Sequence, residues 1–109
     1  MNAGILNKRI TIQKKDTPVV QDTFGEEDPV WSDVATVWAS AEPLRGQEYL
    51  EAQRLQADVD IRFRMRYYPG ITPAMRVYYG GRYFNIQAVI DVREHHDEVQ
   101  LMCKEVLDG

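Results

Sequence analysis

A single cysteine, Cys103, and two histidines, adjacent at His95 and His96, are all the thiol and imidazole chemistry this chain has in 109 residues. One thiol cannot close an internal disulfide. With no secretory signal over Met1–Ile12 as well, a reducing, cytoplasmic site of folding is expected. Cys103 lies on an apolar row with no histidine fixed near it in sequence, which favours a buried, inert thiol over a nucleophile. Adjacent histidines on one strand point apart, and no third ligand stands at a useful spacing. His95-His96-Asp97 therefore reads as a polar turn before it reads as a metal site. No apolar run approaches the roughly 18 residues needed to span a bilayer. No glycine-rich phosphate loop occurs either, because Gly80-Gly81 sits between two extended runs and opens no helix. Neither a cofactor nor a catalytic constellation is implied.

Charge excludes a further class. The net charge is −4, so charge neutralisation is a poor route for this chain to grip nucleic acid as a free-standing protein. With 44% hydrophobic and 28% charged residues, the composition is that of an ordinary globular domain. A single domain over 1–109 is expected, with one modest core and no room for a second lobe across a cleft. That weighs against a self-contained enzyme.

What the chain does have is alternation. Asp58–Gly70 reads DVDIRFRMRYYPG, with Val59, Ile61, Phe63, Met65 and Tyr67 in one row and Asp60, Arg62, Arg64 and Arg66 in the other. A period of two fits a half-buried strand and no helix. Pro69-Gly70 stops it, since proline has no N–H for a ladder and glycine accepts turn geometry. One face needs a core; the other carries three arginines.

Other segments follow the same logic. Arg9–Lys15 alternates Ile10 and Ile12 against polar residues, a first strand. Val30–Leu44 is a second, with Val34, Thr36, Trp38, Ser40 and Glu42 in one row and Ala35, Val37, Ala39 and Ala41 in the other. Both rows are mostly apolar in the middle, so cover on both sides is expected. Trp31 and Trp38 are large anchors, for which a core role outweighs an interface role. Gly46–Ala57, GQEYLEAQRLQA, is rich in helix formers and carries Glu48 and Glu51 in its first turns, where the helix dipole favours acids. Arg76–Tyr79 and Arg82–Ile86 flank Gly80-Gly81 as a hairpin, because a two-residue turn needs positive φ at both positions. The alternation slips across Gln87–Val92, where a bulge is expected. Glu98–Val106 is the last strand, with Val99, Leu101 and Cys103 inward. The fold class is therefore mainly β with one helix, a small antiparallel barrel or sandwich of about six strands.

Asp16–Pro29, DTPVVQDTFGEEDP, is the long connection, with two prolines, one glycine and five acids. Loops of this length are uncommon in compact domains and are either functional or solvated. Val19, Val20 and Phe24 are more apolar than solvation alone requires, and the loop is expected to be mobile. Arg62, Arg64 and Arg66, with Tyr67, Tyr68, Tyr78, Tyr79 and Tyr83, could form a platform for single-stranded nucleic acid. The alternative is a strand face whose arginines pair with acids of this chain or of another subunit.

In these segments, taken in order, the chain resembles the phage head–tail joining proteins, also called head-closure or head–tail adaptor proteins. The resemblance rests on Gly4–Ile10, on Val34–Ala39 followed by Pro43–Glu48, and on Ile61–Tyr67. It continues through Gly70–Val77, Tyr83–Ile86 and Leu101–Glu105. It implies a small β-barrel with one helix, placed between the second and third strands. Copies of such a barrel form a ring below the portal of a tailed phage or prophage, closing the filled head and docking the tail. Its partners would be itself, the portal or a portal-bound adaptor, and a tail-completion or tail-tube protein. Phage DNA would pass through the bore without sequence recognition, with no membrane involved. The protein would reside in the virion and assemble in the bacterial host cytoplasm. On this reading Asp22, Phe24, Glu26, Glu27 and Asp28 belong to a channel-facing or gating loop, and Arg62, Arg64 and Arg66 to a subunit interface.

Overall fold

The structure is a computed structural model that describes residues 5–16, 30–44, 59–92 and 97–107. Six strands follow one another: β1 (Lys8–Asp16), β2 (Val30–Pro43), β3 (Ile61–Arg66), β4 (Arg76–Tyr79), β5 (Arg82–Asp91) and β6 (Glu98–Val106). They close into a barrel in the order β1-β2-β3-β6-β5-β4, with every pairing antiparallel. Of barrel and sandwich, the chain forms the barrel. Thr11, Ile12 and Gln13 of β1 pair with Tyr78, Val77 and Arg76 of β4, which closes the sheet on itself. The helix expected over Gly46–Ala57 lies outside the described residues, as do residues 17–29 of the long loop and His95 and His96.

The alternation in β3 organises the interior. Ile61, Phe63 and Met65 are buried, and their register partners Cys103, Leu101 and Val99 on β6 are buried with them. On the other side Ala41 faces Phe63 and Ala39 faces Met65, so small residues of β2 sit against the bulkiest core side chains. The Phe63 ring meets Phe84 edge-on at 5.3 Å and Tyr79 at 5.7 Å. Ile10, Ile12, Val77 and Ile86 complete this cluster. Removing such side chains from water is the main favourable contribution to folding, about 1.5–3 kcal/mol for each one fully buried.

Turn and bulge chemistry set the register. Gly80 and Gly81 have φ of 61° and 78°, the left-handed values that a two-residue hairpin turn demands and other residues adopt at a cost. The bulge expected after Ile86 is present: the β5–β6 register shifts between Ile86 and Ala88, leaving Gln87 as the extra residue. A second bulge, between β1 and β2, was not anticipated. Ile12 faces Ala35 but Gln13 faces Asp33, so Val34 is the extra residue and packs on the core with Val37 and Ala41 rather than lying in one row with Thr36 and Trp38.

Three assignments need correction. Trp38 is not a core anchor but 54% exposed, and Trp31 is only partly covered. Within β2 only Ala39 and Ser40 are buried, so the cover expected on both faces is limited to the point where β2 passes from pairing with β1 to pairing with β3. Tyr67 falls beyond the end of β3 and is exposed rather than inward. Val59 is buried, but before β3 begins, in a separate small cluster with Leu44 and Met102.

Candidate functional site

The outer face of β3 holds Arg62, Arg64 and Arg66, and the structure brings two of them to acids on neighbouring strands. Glu42 stands opposite Arg62 in the β2–β3 register. Arg62 donates to Glu42 Oε1 from Nη2 at 2.7 Å and from Nε at 3.2 Å. The Ser40 hydroxyl donates to Glu42 Oε2 at 2.7 Å. Burial alone would raise the Glu42 carboxyl, but the Arg62 and Ser40 hydrogen bonds, with the charges of Arg62 and Arg64, outweigh it and hold it below its usual range. Arg64 spans the face, with Nη1 3.5 Å from Glu42 Oε2 and Nη2 donating to Glu98 Oε1 at 3.1 Å. That bond raises the Arg64 pKa against the opposing effect of burial. Glu98 is buried and also accepts from Gln100 Nε2 at 3.3 Å. The Arg64 Nε is buried without a partner among the described residues.

Arg66 differs. It is exposed, and no ion pair holds it among the described residues. The three arginines share one strand face but not one environment.

A second cation is held by aromatic rings. The Arg76 guanidinium lies 4.1 Å from the Trp31 ring and 4.0 Å from the Tyr83 ring, and its Nε donates to Gln13 Oε1 at 2.8 Å. Gln13 in turn donates from Nε2 to Asp33 Oδ1 at 3.0 Å. This cluster ties β1 and β2 to β4 and β5 on the outside of the barrel. Burial lowers the Arg76 pKa, and the Tyr83 hydroxyl partly opposes that.

Near the end of β3 lies an open cleft of about 630 Å³. Leu6, Arg9, Thr36, Trp38, Arg66 and Tyr67 contribute to its walls. Arg9 stacks over Trp38 at 4.8 Å. No carboxylate lines the cleft among the described residues. Reading residues in sequence alone did not find it, because Arg9 and Trp38 become neighbours only through the β1–β2 register. Glu42 and Glu98 escaped for the same reason, although Glu42 shares a row with Trp38 and could have been asked for a cationic partner. Asp22, Phe24, Glu26, Glu27 and Asp28 lie outside the described residues.

Elsewhere the chemistry is quiet. Cys103 is buried, its Sγ donates to the Leu101 carbonyl at 3.5 Å, and burial pushes its thiol well above the usual range, with Asp60 adding to the shift. Among the described residues no group of three histidine, cysteine or acidic side chains could hold a metal ion.

The sequence matches the family described as phage head completion protein over residues 1–106. The chain belongs to that family. A head completion protein is a structural component of the virion rather than an enzyme, and it works in association with other virion components. Among solved structures, a protein of Shigella flexneri 2a determined in solution is 28% identical with a TM-score of 0.77, the match covering 100% of both chains. A chain from the virion of a native gene transfer agent particle is 21% identical with a TM-score of 0.58, over 94% of this chain and 96% of that one. At that identity the second likeness speaks for the fold alone. No curated protein matches this chain.

Proposed function

We propose that this head completion protein forms a ring beneath the portal of a tailed phage or prophage, closes the filled head and presents the docking surface for the tail. The observation that carries the reading is the family match across residues 1–106. A small closed barrel suits the task, because closure leaves few strand edges to aggregate while the subunit waits in the host cytoplasm. The partners would be further copies of itself, the portal or an adaptor bound to it, and a tail-completion or tail-tube protein.

In such a ring the segment 16–29 would face the bore. Asp22, Glu26, Glu27 and Asp28 would repel the phosphate backbone and let DNA slide without sticking, with Phe24 among them as an apolar contact. At the subunit boundary, Arg62 and Arg64 already engage Glu42 and Glu98 of their own chain. Arg66 is therefore the member of the predicted interface trio best able to meet a neighbour. The same pairing weighs against a nucleic-acid platform on this face. Electron microscopy of the protein mixed with its portal complex is the direct test. An added ring of density below the portal is expected; portal particles unchanged at saturating protein would refute the reading.

A further inference from the structure

The β1–β2 ladder continues beyond the seam that closes the barrel. At that seam β4 pairs with Thr11, Ile12 and Gln13 of β1. Farther along, Lys14, Lys15 and Asp16 pair with Ser32, Trp31 and Val30 as a two-stranded ribbon. The bulge lies at the root of this ribbon, where the register shifts between Ile12 and Gln13 and Val34 is the extra residue. Val34 packs on the core, which anchors the pivot, while the extra residue interrupts the ladder that would otherwise stiffen the ribbon. Two strands alone are marginally stable in water, so contacts to the barrel decide where the ribbon lies. Three of them meet at one side chain. Arg76, the first residue of β4, lies between Trp31 of the ribbon and Tyr83 of β5, 4.1 and 4.0 Å from their rings. Its Nε donates to Gln13, and Gln13 donates to its register partner Asp33, the first pair past the bulge. Trp31, Gln13 and Asp33 thus reach β5 through one guanidinium.

We propose that Arg76 is the latch of a hinged arm: it holds Lys14–Asp16 and Val30–Ser32 against the barrel, and the arm turns about the Val34 bulge when the latch is released. Hinges are commonly a few residues at the end of an element, and a bulge beside a closed seam supplies them without disturbing the core. The materials of the latch suit release. Trp31, Arg76 and Tyr83 are all partly covered, and cation–ring contacts at such sites are weak enough to yield to the binding energy of a partner. Two rings and a hydrogen bond on one guanidinium together favour a single resting position. The arm ends at Asp16 and Val30, between which runs the segment that the proposed function assigns to the bore. Its use in the particle, to set the direction in which that segment leaves the barrel, rests on that reading. The latch itself rests on contacts of the single subunit.

Amide hydrogen exchange of the free subunit over a series of low urea concentrations tests the latch. Amides of Lys14–Asp16 and Val30–Ser32 are expected to exchange through an opening smaller than global unfolding, with little dependence on urea. Those of Phe63 and Leu101 should follow the global transition. Arg76→Ala should speed exchange in the arm about tenfold. Trp31→Leu, which removes the ring and leaves the guanidinium, should do the same. Turning is read separately, from spin labels at Lys14→Cys and Gln87→Cys, both exposed positions, since the buried Cys103 takes no label. One narrow distance distribution is expected with Arg76 in place and a broad one in Arg76→Ala. Arm amides that exchange only with global unfolding would overturn the proposal. So would arm exchange unchanged in both variants, or a distance distribution that stays narrow without Arg76. Failure of the latch is separable from failure of the ring. A ring on the portal with a rigid arm removes only the latch, whereas a hinged arm without a ring removes only the reading of the assembly.

Discussion

Arg64 donates to Glu98 at 3.1 Å, joining β3 to β6 across the outside of the barrel, and the Glu98 side chain is only 10% exposed. An acid so covered depends on its partner, because the protein around it replaces most of its water. Arg64→Ala should therefore destabilise the fold by about 1–3 kcal/mol, the cost of a buried acceptor left short of a donor. Glu98→Gln should recover part of that loss when combined with it. Chemical denaturation of the two single variants and the double variant checks this, and strict additivity would show that the pair is not coupled.

The two faces of β3 should respond unequally. Phe63 is fully buried against Phe84 and Tyr79, so Phe63→Ala should cost about 3–5 kcal/mol. Arg66→Ala, at an exposed position, should stay within about 0.5 kcal/mol in the isolated subunit. Equal losses would contradict the facing of the strand.

Much of this asymmetry is legible in the sequence, because a period of two depends only on successive residues. Ile61, Phe63, Met65, Val99, Leu101 and Cys103 were all assigned inward and are all buried. Gly80-Gly81 announced its turn, since few other pairs accept two positive φ values. Trp38 was misassigned because size and hydrophobicity do not say which face of a strand has a neighbour above it. The outward row at Thr36 and Trp38 reaches past the point where β3 begins to cover β2. Strand pairing decides that, and beside the bulge at Val34 the local sequence carries no glycine or proline. The candidate site is a product of register throughout: Arg62 with Glu42, Arg64 with Glu98 and Arg9 with Trp38.

The Arg76 cluster depends on a flat cation. A guanidinium can lie face-on to both Trp31 and Tyr83 while its Nε reaches Gln13; an ammonium cannot do all three. Arg76→Lys should cost about 1–2 kcal/mol and shift Trp31 fluorescence, read in a Trp38→Phe background. Unchanged stability and emission would mean that the stack does not hold β1 and β2 against β4 and β5.

Glu42 predicts a pH dependence. Its folded-state pKa lies below the ordinary value of 4.5 because Arg62 and Ser40 hydrogen-bond the charged form. A depressed carboxyl stabilises the fold fully above that ordinary value, and the stabilisation is lost as pH falls through the folded pKa. Glu42→Gln should therefore be less stable than the unaltered protein at pH 7. The gap should narrow progressively below about pH 4.5, measured by denaturation at several pH values. A gap independent of pH would assign the difference to packing.

The long loop should be dispensable for folding and required for function. Asp16 and Val30 are directly paired at the open end of the β1–β2 ladder. Strand ends that face each other can be joined by a turn of a few residues, so nothing in the barrel needs the thirteen residues TPVVQDTFGEEDP between them. Shortening a loop lowers its closure entropy only slightly, by about 0.6 kcal/mol per halving. Replacing residues 17–29 by a short glycine linker should then leave the melting temperature within a few degrees of the original. On the proposed function, heads completed with that variant should fail to retain packaged DNA or to join tails. A milder variant, with Asp22, Glu26, Glu27 and Asp28 changed to their amides, should fold as well and complete heads poorly. Assays of DNA retention and tail joining, run beside circular dichroism on the same preparations, separate a folding defect from a functional one. Normal infectious particles from the shortened chain would end the assignment of this loop to the bore.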